Sequence, residues 1–91
     1  MTPSHTQRPA LKRGCRLSTT GAEPLLLIPE GALRLQGPGK RIIELMDGRR
    51  STEEIIQQLQ GEFPAADPQR IEQDVTAFLS GLVEKGAVEL S

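Results

Sequence analysis

Tryptophan and tyrosine are absent from the 91 residues, and the only aromatic side chains are Phe63 and Phe78. A core must therefore be assembled from Leu, Ile and Val. A single cysteine, Cys15, excludes an intrachain disulfide and fits a reducing compartment. The one histidine, His5, lies in the polar N-terminal stretch. Cys15 thus has no histidine near it in a plausible strand, and neither a nucleophile pair nor a zinc site is supported. No apolar run approaches the roughly 18 residues that span a bilayer, and no apolar signal core precedes the domain. The expected location is the cytoplasm. Gly37-Pro38-Gly39-Lys40 has the glycines and lysine of a phosphate loop, but not its spacing or the Ser/Thr after the lysine. Charge is scarce in one sense only. The net charge is −1, yet residues 1–50 hold nine Lys/Arg against four Asp/Glu, and residues 51–91 hold two against eight. A total so near zero exerts no general pull on nucleic acid or membrane.

What is present is clearest from Asp67 to Lys85. Ile71, Val75, Phe78, Leu79 and Leu82 recur at helical spacing, which predicts an α-helix with one apolar side. Glu72, Gln73, Thr76, Ser80 and Glu84 fall on the other side. Asp67 is a natural N-cap and Pro68 suits the first turn. Lys85 meets the negative end of the dipole, and Gly86 can take the left-handed turn that closes the helix. Gly81 interrupts this run and costs roughly 1 kcal/mol against Ala in a free helix. It marks either close packing against a neighbour or room for a ligand backbone.

A chain of this length makes one domain and buries only about 60–65% of its unfolded surface. Residues 1–8 are polar and without period, and read as a disordered tail; the domain is expected over residues 9–90. Pro9 to Ser18 alternates loosely and reads as one edge strand with Lys12, Arg13 and Arg16 exposed. Leu25 to Ile28 is a short apolar strand, Pro29-Glu30-Gly31 a turn, and Ala32 to Gln36 a strand with Leu33 and Leu35 on one face and Arg34 on the other. Gly37-Pro38-Gly39 breaks the chain. Ile42, Ile43, Leu45 and Met46 then form the stripe of a short helix closed by Gly48. Ser51-Thr52-Glu53-Glu54 is a capping box for a second helix running to about Glu62. Ala87 to Leu90 is expected as an extended tail. The fold class is α+β, winged helix-turn-helix-like: a three-stranded antiparallel sheet (the wing) followed by three helices.

Such a layout raises the possibility of a DNA reader. A reading helix needs Arg, Lys, Asn or Gln outward, whereas the long helix carries Asp67, Glu72, Asp74 and Glu84 against Arg70 and Lys85. The helix before it carries Glu53, Glu54 and Glu62 and no base. Nucleic acid is therefore not an expected partner. A binding module fits better. Three strands leave an open border beside the long helix, which can take an extended peptide as an added strand. A winged-helix regulator or another protein-interaction module is the alternative.

Four runs together carry a family resemblance: P-A-L-K-R-G-C-R-L, L-L-L-I-P-E-G-A-L-R-L, I-I-E-L-M-D-G-R-R-S-T-E-E-I and I-E-Q-D-V-T-A-F-L-S-G-L-V-E-K-G-A-V-E-L. The combination resembles the PqqD family, small peptide chaperones of pyrroloquinoline quinone biosynthesis, over about residues 9–90. The resemblance implies a winged-helix recognition domain for ribosomally made precursor peptides. It implies binding of the precursor peptide PqqA and delivery to the radical SAM enzyme PqqE, with no cofactor and no chemistry in the domain itself. It also implies a peptide-binding surface on the third strand (Leu33, Arg34, Leu35) and third helix (Val75, Phe78, Leu79, Leu82). Gly37-Pro38-Gly39 departs from the smooth helix start of that family. A joint of this kind would let the strand pair exchange with a second copy, so a homodimer is also expected as a possible state.

Overall fold

The computed structural model describes residues 5–19, 21, 23–35 and 37–91. Five strands and three helices follow one another: β1 (Pro9–Leu11), β2 (Arg16–Ser18), β3 (Leu25–Ile28), β4 (Gly31–Arg34), α1 (Gly39–Leu45), α2 (Thr52–Glu62), α3 (Pro68–Glu84) and β5 (Val88–Leu90). β2, β3 and β4 form an antiparallel sheet in that order, and β1 pairs antiparallel with β5 in a separate two-stranded ribbon. The α+β class and the three-stranded antiparallel sheet with three helices are as expected.

The helices follow their local signals. In α2 the Glu54 N–H donates to the Ser51 hydroxyl at 3.1 Å, and the Ser51 N–H donates to the Glu54 carboxylate at 2.8 Å, so both halves of the capping box form. That second bond holds the Glu54 carboxyl below its usual range. Asp67 caps α3 by accepting from the Gln69 N–H at 3.0 Å, with Pro68 in the first turn. Gly86, at φ +72°, ends α3 in the left-handed region that favours glycine.

Two readings of the strands need correction. Pro9 to Ser18 is not one strand. A tight turn closed by the Cys15 N–H on the Lys12 carbonyl at 3.0 Å, with Gly14 at φ +92°, splits it between two sheets. Residues 88–90 are extended, as expected, but they are a paired strand and not only a tail: Pro9 faces Leu90, and Leu11 faces Val88. The alternation in ten residues looked like one strand because partner choice is non-local. The first helix is also shorter than expected. After Leu45 the Asp47 carboxylate turns back to accept the N–H groups of Arg49 and Arg50, both at 2.9 Å. These bonds, that from Arg50 first, hold the Asp47 carboxyl below its ordinary value.

Residues 1–4 of the expected tail lie outside the described residues. From residue 5 on, the segment is bonded to the domain. The Gln7 carbonyl accepts from the Thr52 N–H at 2.9 Å and from its hydroxyl at 3.1 Å; the His5 carbonyl accepts from the Glu53 N–H at 3.0 Å. The orphan N–H groups at the start of α2 are thereby satisfied. This explains why Thr52 is a fully buried polar residue.

The core lies between sheet and helices. Leu26, Ile42, Ile55, Leu59, Val75 and Leu79 have no exposed surface. Each buried side chain of this kind contributes about 1.5–3 kcal/mol. Outside the core, Arg41 of α1 clamps Glu62 at the end of α2 through three hydrogen bonds, Nε–Oε1 at 2.8 Å, Nε–Oε2 at 3.1 Å and Nη2–Oε2 at 2.6 Å. Gln58 adds a fourth at 2.9 Å. The Arg41 bonds, then the Gln58 bond, lower the Glu62 carboxyl from 4.5 to about 2. A carboxylate depressed by folding contributes stability that is present above its unfolded value of 4.5 and is lost as pH falls through its folded value of about 2. Urea midpoints of the wild type should therefore fall as pH goes from 4.5 to 2. In Arg41→Leu that part of the decline should flatten. Parallel curves for the two proteins would show that the clamp plays no part.

Candidate functional site

The border of the sheet nearest α3 is β4. It forms a hairpin with β3, in which Leu25 faces Arg34, Leu26 faces Leu33 and Leu27 faces Ala32. The Leu35 N–H donates to the Pro24 carbonyl at 3.2 Å, just beyond the last strand pair. An antiparallel ladder alternates its bonds, so Leu33 and Leu35 turn their backbone groups toward β3. Those of Ala32 and Arg34 point away, and no described strand pairs with β4 on that side.

Between this border and α3 runs a groove of about 280 Å³, lined by Leu33, Arg34, Leu35, Ala77, Phe78, Gly81, Leu82 and Lys85. The helical period places the five α3 residues on one flank, beside the stripe of Ile71, Val75, Leu79 and Leu82 that enters the core. Leu82 belongs to both. The Phe78 ring is held from below by the start of α1. A Cβ added to Gly39 would stand 3.0 Å from the Phe78 Cε1 and 3.6 Å from the Leu35 Cβ. Gly39 is buried there, and any larger residue would push the ring into the groove.

Of the residues named from sequence, Leu33, Arg34, Leu35, Phe78 and Leu82 meet in this groove. Val75 and Leu79 do not: both are fully buried and face the core beneath it. An apolar stripe at helical spacing does not by itself separate the floor of a groove from the core under it. Ala77 and Lys85 were not named as site residues, whereas Gly81 was marked in the sequence as close packing or room for a ligand, and it lies in the groove with nothing within 4 Å of an added Cβ. The signal of all three was a second stripe at intervals of four, offset from the apolar one, which reads in sequence as a weak point and a helix end.

Arg34 alternates to the solvent face, where its Nε lies 3.4 Å from the Glu23 carboxylate. Both side chains are well exposed, so this pair contributes little and leaves Arg34 available. Lys85 stands at the C-cap of α3, at one end of the groove. The displaced carboxylates, Asp47, Glu54 and Glu62, serve turns, caps and the α1–α2 clamp outside the groove. Among the described residues no three His, Cys, Asp or Glu side chains gather as a metal site, and no helix is long and apolar enough to cross a membrane. The groove offers an unpaired backbone border, aliphatic and aromatic walls, and two cations.

These features define a small α+β domain with an accessible strand edge above an apolar helix groove, the geometry used in strand addition. Comparison with known proteins is specific. The family model for coenzyme PQQ synthesis protein D (PqqD) matches residues 23–88, and the chain belongs to that family. It is 34% identical over 87 residues to a PqqA binding protein of Stutzerimonas stutzeri (strain A1501), covering 93% of this chain and 92% of the relative. It is 41% identical over 78 residues to the PqqA binding protein of Gluconobacter oxydans (strain 621H), covering 84% and 80%. Among solved structures it is similar to the PqqD truncation of Methylobacterium extorquens PqqCD, determined by solution NMR. The TM-score is 0.79 at 34% identity, over 94% of this chain and 93% of that one. That truncation represents a functional, stand-alone recognition element for ribosomally synthesized and post-translationally modified peptides.

Proposed function

We propose that this protein is a peptide chaperone of pyrroloquinoline quinone biosynthesis, which binds the precursor peptide PqqA and presents it to the radical SAM enzyme PqqE. The observation that carries the peptide half of this reading is the unpaired border of β4 standing over the Leu33–Phe78–Leu82 groove. A guest strand would bond to the outward backbone groups of Ala32 and Arg34 and lower alternate side chains onto α3. The PqqA-binding relatives and the recognition element of M. extorquens support the same reading. PqqE as the receiving enzyme rests on family resemblance. The domain would be cytoplasmic, would hold no cofactor and would do no chemistry; the modification belongs to the enzyme.

The layout is read as a winged-helix relative whose sheet, rather than a helix, meets the ligand. The DNA-reading alternative gains no support from it. α2 and α3 expose Glu53, Glu54 and Glu84 where phosphate contacts call for cations. A homodimer formed by exchange of the β3–β4 pair is part of the proposal. Gly37, at φ +57° three residues after the end of β4, supplies a joint that only glycine adopts readily.

Titration of the ¹⁵N-labelled protein with synthetic PqqA tests the peptide half. Amide resonances of residues 32–35 and 77–85 should shift, while those of Gln57 and Gln58 on the far surface of α2 stay in place. Unmoved β4 and α3 signals at saturating peptide would end the reading. Sedimentation of the same sample across a concentration series decides the exchange, and a monomer at every concentration removes it.

A further inference from the structure

One residue of the groove is not required by the fold. Gly81 lies inside α3, where glycine is among the least favourable residues. Its φ is not in the left-handed region, so no turn calls for it. A Cβ built on it meets nothing within 4 Å, so no close approach within the chain calls for it either. Gly39 is the contrast, since its Cβ would strike the Phe78 ring at 3.0 Å. Packing explains Gly39 and leaves Gly81 unexplained. Gly81 lines the groove with Phe78 and Leu82 of the same helix and Leu33 of β4, so the space above it opens into that groove.

We infer that Gly81 is the specificity-determining residue of the groove, a notch that seats one bulky apolar side chain of the guest peptide. The inference rests on the peptide-binding reading and adds to it the class of side chain selected. The chemistry follows from the walls. Leu33, Phe78 and Leu82 offer carbon only, and the two cations of the lining, Arg34 and Lys85, are exposed to solvent, so a polar group lowered among those three walls would lose water without gaining a partner. A strand added to β4 turns every second side chain toward α3, which brings one of them over the notch. The missing Cβ also lets that side chain reach the backbone of α3 itself. Helix stability is given up at Gly81 for room, the trade expected where function and stability compete.

Gly61 supplies a control. It too is helical, with nothing within 4 Å of an added Cβ, but it is exposed near the end of α2 and outside the groove. Five proteins are compared: the wild type, Gly81→Ala, Gly81→Leu, Gly61→Ala and Gly61→Leu. Each is melted, and each is titrated with fluorescently labelled PqqA by anisotropy. Both alanine variants should melt about 4–8 °C higher, as for removal of any unneeded helical glycine from a domain of this size. Gly81→Ala should nevertheless bind about threefold more weakly, and Gly81→Leu at least about tenfold more weakly, because the notch is filled. Gly61→Ala and Gly61→Leu should bind as the wild type does. If the wild type itself fails to bind, the peptide reading falls and this inference falls with it. If the wild type binds and the Gly81 variants match it, the notch alone is overturned. Should Gly81→Leu fail to fold, the Gly81→Ala affinity decides in the same way.

Discussion

Arg34→Pro is expected to abolish most peptide binding while leaving the domain folded. The Arg34 N–H points away from β3, so it takes no part in the hairpin ladder. Proline is tolerated on an edge strand when its missing N–H faces outward. The lost side chain is exposed, and its pair with Glu23 at 3.4 Å contributes little. A guest strand, however, would lose the donor it needs at the centre of the border, and its own carbonyl would be left unsatisfied. Such an orphan costs about 1–3 kcal/mol, or roughly 5- to 150-fold in affinity. Anisotropy with labelled PqqA measures the loss, and circular dichroism confirms the fold. Arg34→Ala, which keeps the N–H, should bind much closer to the wild type. Equal binding by all three proteins would mean that the guest does not add as a strand to β4.

The second large effect is on stability. Leu79→Ala removes a fully buried side chain from the middle of α3. Deletions of this kind cost about 2–5 kcal/mol, in part through the cavity they leave. A domain of this size holds only about 5–15 kcal/mol in all. At about 4–8 °C per kcal/mol, the melting temperature should fall by roughly 8–40 °C. A drop of only a few degrees would show that Leu79 is not in the core. Ala77→Ser, at an exposed position on the groove flank of the same helix, should change stability by no more than about 0.5 kcal/mol. The contrast separates the layer beneath the groove from the layer that lines it.

The helices were legible in the sequence because their signals are local. Ser51 and Glu54, Asp67 and Pro68, and Gly86 act within a few residues of themselves, and each takes the expected role. The strands were legible in part. Leu25 to Ile28 and the turn at Pro29-Glu30 are flanked by prolines and come out as a hairpin. Pro9 to Ser18 did not, although Gly14 marked the break, because the partner of Pro9–Leu11 lies at the other end of the chain. Three residues of tail carry no pattern from which such a pairing could be read.

The candidate site divides along the same line. The family resemblance is what pointed to the third strand and third helix; alternation then sets Leu33 and Leu35 apart from Arg34, and the helical period puts Phe78 and Leu82 on one side of α3. Burial of Val75 and Leu79 is decided by what packs against α3, which the period does not contain. Gly81 has no side chain to pattern, and Lys85 reads as a helix end before it reads as a wall.

The ribbon of β1 and β5 has a consequence for how the protein is made. The Arg8 carbonyl accepts from the Ser91 side chain, 83 positions further along the chain, and the backbones of the two residues bond in both directions. Contacts of such long range close late, because the chain entropy lost in joining them is large. On the ribosome, Pro9–Leu11 emerges first; its contacts with Asp47 and Gly48 can form early, but its strand partner Val88–Leu90 comes only with the last residues. The hairpin and the helix pair can form in the meantime, so the recognition surface would be shaped before its supporting seam is closed.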